Sequence, residues 1–250
     1  MLAGTEPYVS SPIALSASAL LPAAERRRTG IPVKLALAVA QEACTHAGRD
    51  PASVATVFTS SSGDGETVHH IFESLALPGR EVSPTRFHNS VHNAAAGYWS
   101  IATQSRQPST SLCCYDASFG AGLLDAATQT AVDNTPVALI AYDHPYPEPL
   151  HSKRPVCGAF GVALVLAPQP TKRTLATIEV TYTAGSLQPT CMIDPALEAL
   201  RTGIPAARSL PLLAALARDE RSVIVFELPA SNHLSTRFAP TFHGSKKHAP

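Results

Sequence analysis

The stretch SPTRFHNSVHNAAAGYWSIATQSRQPSTSLCCYDASFGAGLLDAA, residues 83–127, decides the fold. It holds a helix signal at residues 89–103, built on the small residues from Asn93 to Gly97, and an apolar strand at 110–115. A tight turn, Asp116-Ala117-Ser118-Phe119-Gly120, leads into a second small-residue helix at 119–132. Strand, sharp turn and helix is the geometry that lifts a side chain out of a sheet and sets it at a helix N-terminus. There, free N–H groups and the helix dipole favour an anion. Read this way, the tip of the turn carries Phe119, which has no nucleophilic atom.

Outward from that stretch, the chain alternates helices and buried strands. Pro32 opens a helix over 32–47, where Leu35, Val39 and Ala43 recur at helical spacing and Gly48 stops the run. An apolar strand at 54–60 leads to a glycine turn at 61–66, where Asp64 caps a helix over 66–76. A Pro/Gly break covers 78–84. Residues 136–142 (PVALIAY) are apolar on both faces, as in a buried strand. A proline-rich loop at 143–156 precedes two runs, 158–167 and 174–183, expected to lie side by side as strands. Beyond 184 the pattern offers a helix at 207–218 and a strand at 222–227. The expected class is α/β, a mixed sheet with helices on both faces. Residues 1–30 read as an N-terminal arm, 31–243 as one domain, and 244–250 as a disordered tail.

The 250 residues balance nineteen Lys+Arg against nineteen Asp+Glu, which excludes the basic footprint of a nucleic-acid binder. Charged residues make up only 15%, a composition that points to extensive burial and to a protein interface. No apolar run approaches the ~20 residues that span a bilayer. Five cysteines (Cys44, Cys113, Cys114, Cys157 and Cys191), without a CxxC motif or a leader-like N-terminus, imply reduced thiols and a cytoplasmic protein.

Few side chains present themselves as chemistry. Cys113 and Cys114 lie in the predicted strand before the turn, where a cysteine is ordinarily a small buried hydrophobe. Ser118 lacks the Gly-x-Ser-x-Gly context of hydrolases and fits an N-cap better. His88 and His92 are four apart and could share a helix face, yet no third ligand joins them and no metal is expected. His69 and His70 are adjacent, so a helix points them about 100° apart. The turn at 61–66 carries acids and no Lys, which excludes a nucleotide loop and leaves no cofactor to expect.

The order SPTRFHNSVHNAAAGYWSIAT, strand, then DASFGAGLLDAA resembles the N-terminal half of a β-ketoacyl synthase of the thiolase-like superfamily, over roughly residues 30–180. It is most similar to the short chain length factors of aryl polyene biosynthesis, as is the opening LLPAAERRRTGIPVKLALAVAQEA. The resemblance registers Asp116 on the Asp of the Asp-Thr-Ala-Cys elbow and Leu123 on its following Leu, so Phe119 falls on the nucleophile. The family's His-Gly-Thr and Asn-x-x-x-Gly-His histidines have no counterpart. Decarboxylative condensation needs both a thiolate and donors to the enolate.

The resemblance therefore implies a non-catalytic subunit pairing with an active β-ketoacyl synthase and helping to set acyl chain length. It implies a heterodimer, with acyl carrier protein met only indirectly. Phe87, Ser90, Val91, His92 and Phe119 would face the acyl tunnel. Asn93, Gly97, Thr110, Leu112 and Cys114 would lie in the interface. Two alternatives stay open: an active acyltransferase using Cys113 or Cys114, and a homodimeric scaffold or carrier-binding module.

Overall fold

The computed structural model describes residues 1–11, 13, 15, 19–185, 187–229 and 232–240. Helix α1 (Ala23–Arg28) leads to α2 (Ile31–Ala47), which has Pro32 in its first turn and stops at Gly48, φ 63°. Then follow β1 (Ala55–Thr59), α3 (Gly65–Ala76), α4 (Pro84–Asn89), α5 (Ala94–Thr103) and β2 (Ser109–Leu112). Helix α6 (Ser118–Asp133) is succeeded by β3 (Val137–Asp143), α7 (Leu150–Lys153), β4 (Phe160–Leu166) and β5 (Ala176–Thr183). The C-terminal part holds α8 (Pro195–Gly203), α9 (Leu210–Arg218), β6 (Ser222–Leu228) and β7 (Asn232–Pro240).

Two sheets form. The first has the order β2-β1-β3-β4, parallel except for β4. The second is antiparallel, β5-β7-β6. The expected pairing of 158–167 with 174–183 is not made, because the chain crosses from one sheet to the other between β4 and β5. Their patterns explain the division. Strand β4 is covered on both faces, whereas β5 alternates half-buried and exposed residues, as a strand with one wet face does.

Helix α6 lies between the sheets. A Cβ on Gly122 would come 2.8 Å from both Leu139 Cδ1 and Thr59 Cγ2, and one on Gly120 would come 3.1 Å from the Glu227 carbonyl. Two glycines on opposite sides of one helix thus let both sheets approach it. Phe119, Leu123 and Ala126 of α6 join Leu139 and Ala141 on one side and Phe226 and Leu234 on the other. The far face of the first sheet is covered by α2 and α5, with Leu37, Tyr98 and Trp99 against Phe58 and Ile140. The mixed sheet therefore has helices on both faces. The outer face of the second sheet is open, with exposed Thr181 and Val223 and a Glu179–Arg237 pair at 3.3 Å.

A buried carboxylate ties these parts together. Asp143, at the end of β3, accepts from Ser61 N–H (2.8 Å), Ser61 Oγ (2.8 Å), Ser60 Oγ (3.2 Å) and Ala206 N–H (2.7 Å). Burial pushes its pKa up, and these donors offset part of the rise.

The helix predicted at 89–103 begins only at Ala94, after a separate short helix, α4, that ends at Asn89. Asn89 is buried at the end of α4, where its amide donates to the Arg28 carbonyl (2.7 Å) and accepts from the Tyr98 hydroxyl (2.9 Å). That anchor turns the chain before α5 begins. The arm is not free of the body, since Leu15 and Leu21 pack against the α2–α5 core. Residues 244–250 lie outside the described residues.

Candidate functional site

Strand β2 ends at Leu112, three residues earlier than its apolar run predicts. Residues Tyr115–Ala117 make a single 3₁₀ turn, and α6 starts at Ser118. The residue in the left-handed region is Tyr115, φ 55°, and it is 58% exposed. A bulky aromatic residue rarely adopts that conformation. The tip of the turn is therefore Tyr115, three residues before the helix proper. Phe119 sits in the first turn of α6, wholly buried, with its ring 5.2 Å from that of Phe226. Helix α6 starts within one residue of its expected position, but the tip of the turn falls four residues before Phe119, because the strand stops early and a 3₁₀ turn follows it.

The turn is pinned twice. Ser118 Oγ accepts from Cys114 N–H (3.0 Å) and donates to the Tyr115 carbonyl (2.7 Å), so it closes the turn from within. Arg154, from the proline-rich loop, donates to Asp116 Oδ1 (2.8 Å) and lays its guanidinium 3.3 Å from the Tyr115 ring centroid. Burial works against the Arg154 charge, but Asp116 and the Tyr146 hydroxyl hold its pKa above the usual value.

The Cys114 thiol is not activated. Burial, with Cys113 alongside, raises the Cys114 pKa, the opposite of what a nucleophile needs. Cys113 is exposed and donates to the Ser61 carbonyl at 3.0 Å. His92 Nε2 lies 2.9 Å from the Leu112 carbonyl, so that nitrogen carries the proton and is committed to a structural bond. His88 stands edge-on to Tyr98, with the centroids 6.4 Å apart, and does not meet His92. Among the described residues no cluster of three or more His, Cys, Asp or Glu could hold a metal.

Beside the turn the molecule is open. Strand β2 has β1 on one side and, among the described residues, no strand on the other. Thr56 N–H donates to the Pro108 carbonyl and Ser60 N–H to the Leu112 carbonyl, so the even residues turn their backbone inward to β1. Ser109 and Ser111 consequently present N–H and C=O to the free edge. Thr110 and Leu112, expected at the interface, face β1 with their backbone. The Thr110 hydroxyl accepts from Gln129, and Leu112 packs on the α6 core.

The α3–α4 hairpin stands at the end of this edge. Helix α3 buries no residue, and Phe72, Leu75, Leu77, Phe87 and Val91 are all exposed. Phe87 (68%) and Val91 (50%) are exposed and Ser90 is half-buried, whereas Phe119 lies inside the core. On α5, Gly97 is exposed and a Cβ there would meet nothing within 4 Å. Asn93 precedes α5 without a side-chain cap bond.

The family described as "Beta-ketoacyl synthase, N-terminal domain" matches residues 5–223. The chain belongs to the β-ketoacyl synthase family. No curated protein sequence matches it. Its fold is similar to that of a chain from the complex of a ketosynthase (ApeO) with its chain length factor (ApeC) from Xenorhabdus doucetiae. That likeness has a TM-score of 0.68 and 23% identity over 94% of this chain and 90% of that one. The ishigamide ketosynthase/chain length factor gives 0.64 at 14% identity, covering 86% and 82%. A β-ketoacyl synthase from Burkholderia phymatum gives 0.66 at 12%, covering 92% and 87%. These likenesses establish the thiolase-like fold of the ketosynthases for this family member.

Within that fold the turn at 113–118 stands at the end of the strand that leads into the central helix. Sequence reasoning missed Arg154, Tyr146 and Asp143 as parts of its surroundings. Arg154 and Asp116 are 38 residues apart, and a proline-rich loop carries no periodicity to reveal where it returns. Among the described residues no helix is long and apolar enough to cross a membrane.

Proposed function

We propose that this ketosynthase-like chain is a non-catalytic chain length factor. It pairs with an active β-ketoacyl synthase in the cytoplasm and helps to set acyl chain length in aryl polyene or related fatty-acid or polyketide biosynthesis. The observation that carries this reading is the turn before α6. Its exposed tip is Tyr115, clamped by Arg154, and burial raises the pKa of the adjoining Cys114, the opposite of what a nucleophile needs. Condensation needs a thiolate to carry the chain and donors to the enolate. The sequence lacks the family's histidine motifs as well. The partner supplies these groups, and acyl carrier protein docks mainly on it.

Two features support the pairing. Strand β2 offers Ser109 and Ser111 to a further strand, and an unpaired edge is a liability that an adjoining sheet removes. The α3–α4 hairpin leaves Phe72, Leu75 and Phe87 exposed, an apolar surface that a partner would cover.

Co-expression with candidate ketosynthases, followed by size exclusion and product analysis, tests the reading. The pair should co-elute and make polyene, and the isolated chain should condense no malonyl and acyl thioesters. Steady turnover by the chain alone would overturn it. Phe87→Ala should lengthen the product and Ser90→Phe shorten it, because each methylene buried is worth ~0.8 kcal/mol. Parental chain length from both variants in an intact complex would leave the chain a structural partner only.

A further inference from the structure

Tyr115 holds a backbone conformation that bulky residues avoid, on an exposed turn, so something outside the turn must fix it there. The structure shows one such restraint from a distant segment. Arg154 stacks on the Tyr115 ring at 3.3 Å from its centroid and pairs with Asp116 at 2.8 Å. Its planar guanidinium makes both contacts at once, which a lysine cannot do. The Arg154 side chain is itself only 18% exposed. Its loop is anchored beside Gly65, where Tyr146 packs so closely that a Cβ would fall 2.6 Å from the ring.

The same turn seats Cys114. Its N–H is held by Ser118 Oγ, which also donates to the Tyr115 carbonyl. Cys113, one residue earlier, is exposed, whereas Cys114 is half-buried. The turn thus holds the Cys114 backbone directly, and the two adjacent thiols differ in exposure.

We infer that Arg154 is a positioning residue that latches the 113–118 turn in its closed form and keeps the Cys114 thiol shielded. It keeps the turn that leads into the central helix chemically inert. This inference deepens the non-catalytic reading and rests on it, but its test needs no ketosynthase.

The test is the alkylation rate of Cys114 by iodoacetamide in the full-length chain, read by mass spectrometry against Cys113 of the same molecule. In Arg154→Ala the Cys114/Cys113 ratio should rise about tenfold, the scale set by losing a partly desolvated cation–π contact and its ion pair. Arg154→Lys keeps the charge without the plane and should rise less. Asp116→Asn keeps the stack and should fall between the parent and Arg154→Ala. Circular dichroism restricts the comparison to folded variants. Should Arg154→Ala fail to fold, the Lys and Asn variants decide alone. An unchanged ratio in folded variants overturns the latch. Co-elution of the parental chain with a ketosynthase tests the underlying reading separately.

Discussion

Strands β3 and β2 belong to the same mixed sheet and have opposite surroundings. All seven residues of β3 are buried, between α2 and α5 on one face and α6 on the other. None of the four residues of β2 is buried, and among the described residues no strand covers its outer edge. The difference separates what the chain does for itself from what it offers to another. The β3 side holds the fold together. The β2 side, with the α3–α4 hairpin and the Tyr115 turn, carries the polar backbone and apolar side chains that a partner would cover.

Damage at β3 gives the largest expected effect. Leu139→Ala removes a side chain packed on Gly122 in the centre of the core and should cost about 2–5 kcal/mol. Leu112→Ala, a half-buried leucine at the end of β2, should cost clearly less in the isolated chain. Chemical denaturation measures both, and equal losses would remove the contrast.

Asp143→Asn should follow in size. Four donors converge on its carboxylate, and an amide brings an N–H₂ group where only acceptors are wanted. The loss should be about 1–3 kcal/mol at neutral pH, the scale of a buried donor left without an acceptor. The measurement is again the denaturation midpoint. No loss would mean that the clip between the first sheet and the segment before α9 is dispensable.

The open side should give the reverse pattern. Ser111→Pro deletes an N–H that points to the free edge and leaves the bonds to β1 in place. The isolated chain should keep most of its stability, while co-elution with a ketosynthase should fall sharply. Full complex formation by this variant would show that the edge of β2 is not where the sheets join.

The two sides were also unequally legible in the sequence. The run 136–142 is apolar at every position, so β3 could be placed to within one residue. Helix α2 was equally plain, with Pro32 at one end and Gly48 at the other. The tip of the turn was misplaced because it depends on where β2 ends, and the apolar residues 113–115 continue a strand pattern that the backbone abandons. Arg154 was invisible because its role depends on a tertiary return of the loop. The division of β4 and β5 between sheets was hidden for a similar reason. Both runs have strand composition, and only the wet face of β5 distinguishes them.

The smallest effect expected concerns an ion pair remote from both strands. Glu198 and Arg201, one turn apart on α8, make two contacts of 2.6 and 2.7 Å, and Glu198 also accepts from Met192 N–H at 2.8 Å. The Arg201 hydrogen bond, working against burial, lowers the Glu198 pKa from 4.5 to about 2. A carboxylate whose folded pKa is depressed contributes stability that is fully present above its unfolded value. That contribution is lost as pH falls from about 4.5 towards about 2. Part of the pair is open to solvent, so its worth at neutral pH should be about 1 kcal/mol or less. Glu198→Gln should therefore lower stability slightly at pH 7 and not at all near pH 2. Leu139→Ala should lower it at both. Denaturation curves at the two pH values separate a loss of charge from a loss of packing. A pH-independent deficit in Glu198→Gln would mean that the side chain acts through the Met192 backbone contact rather than through its charge.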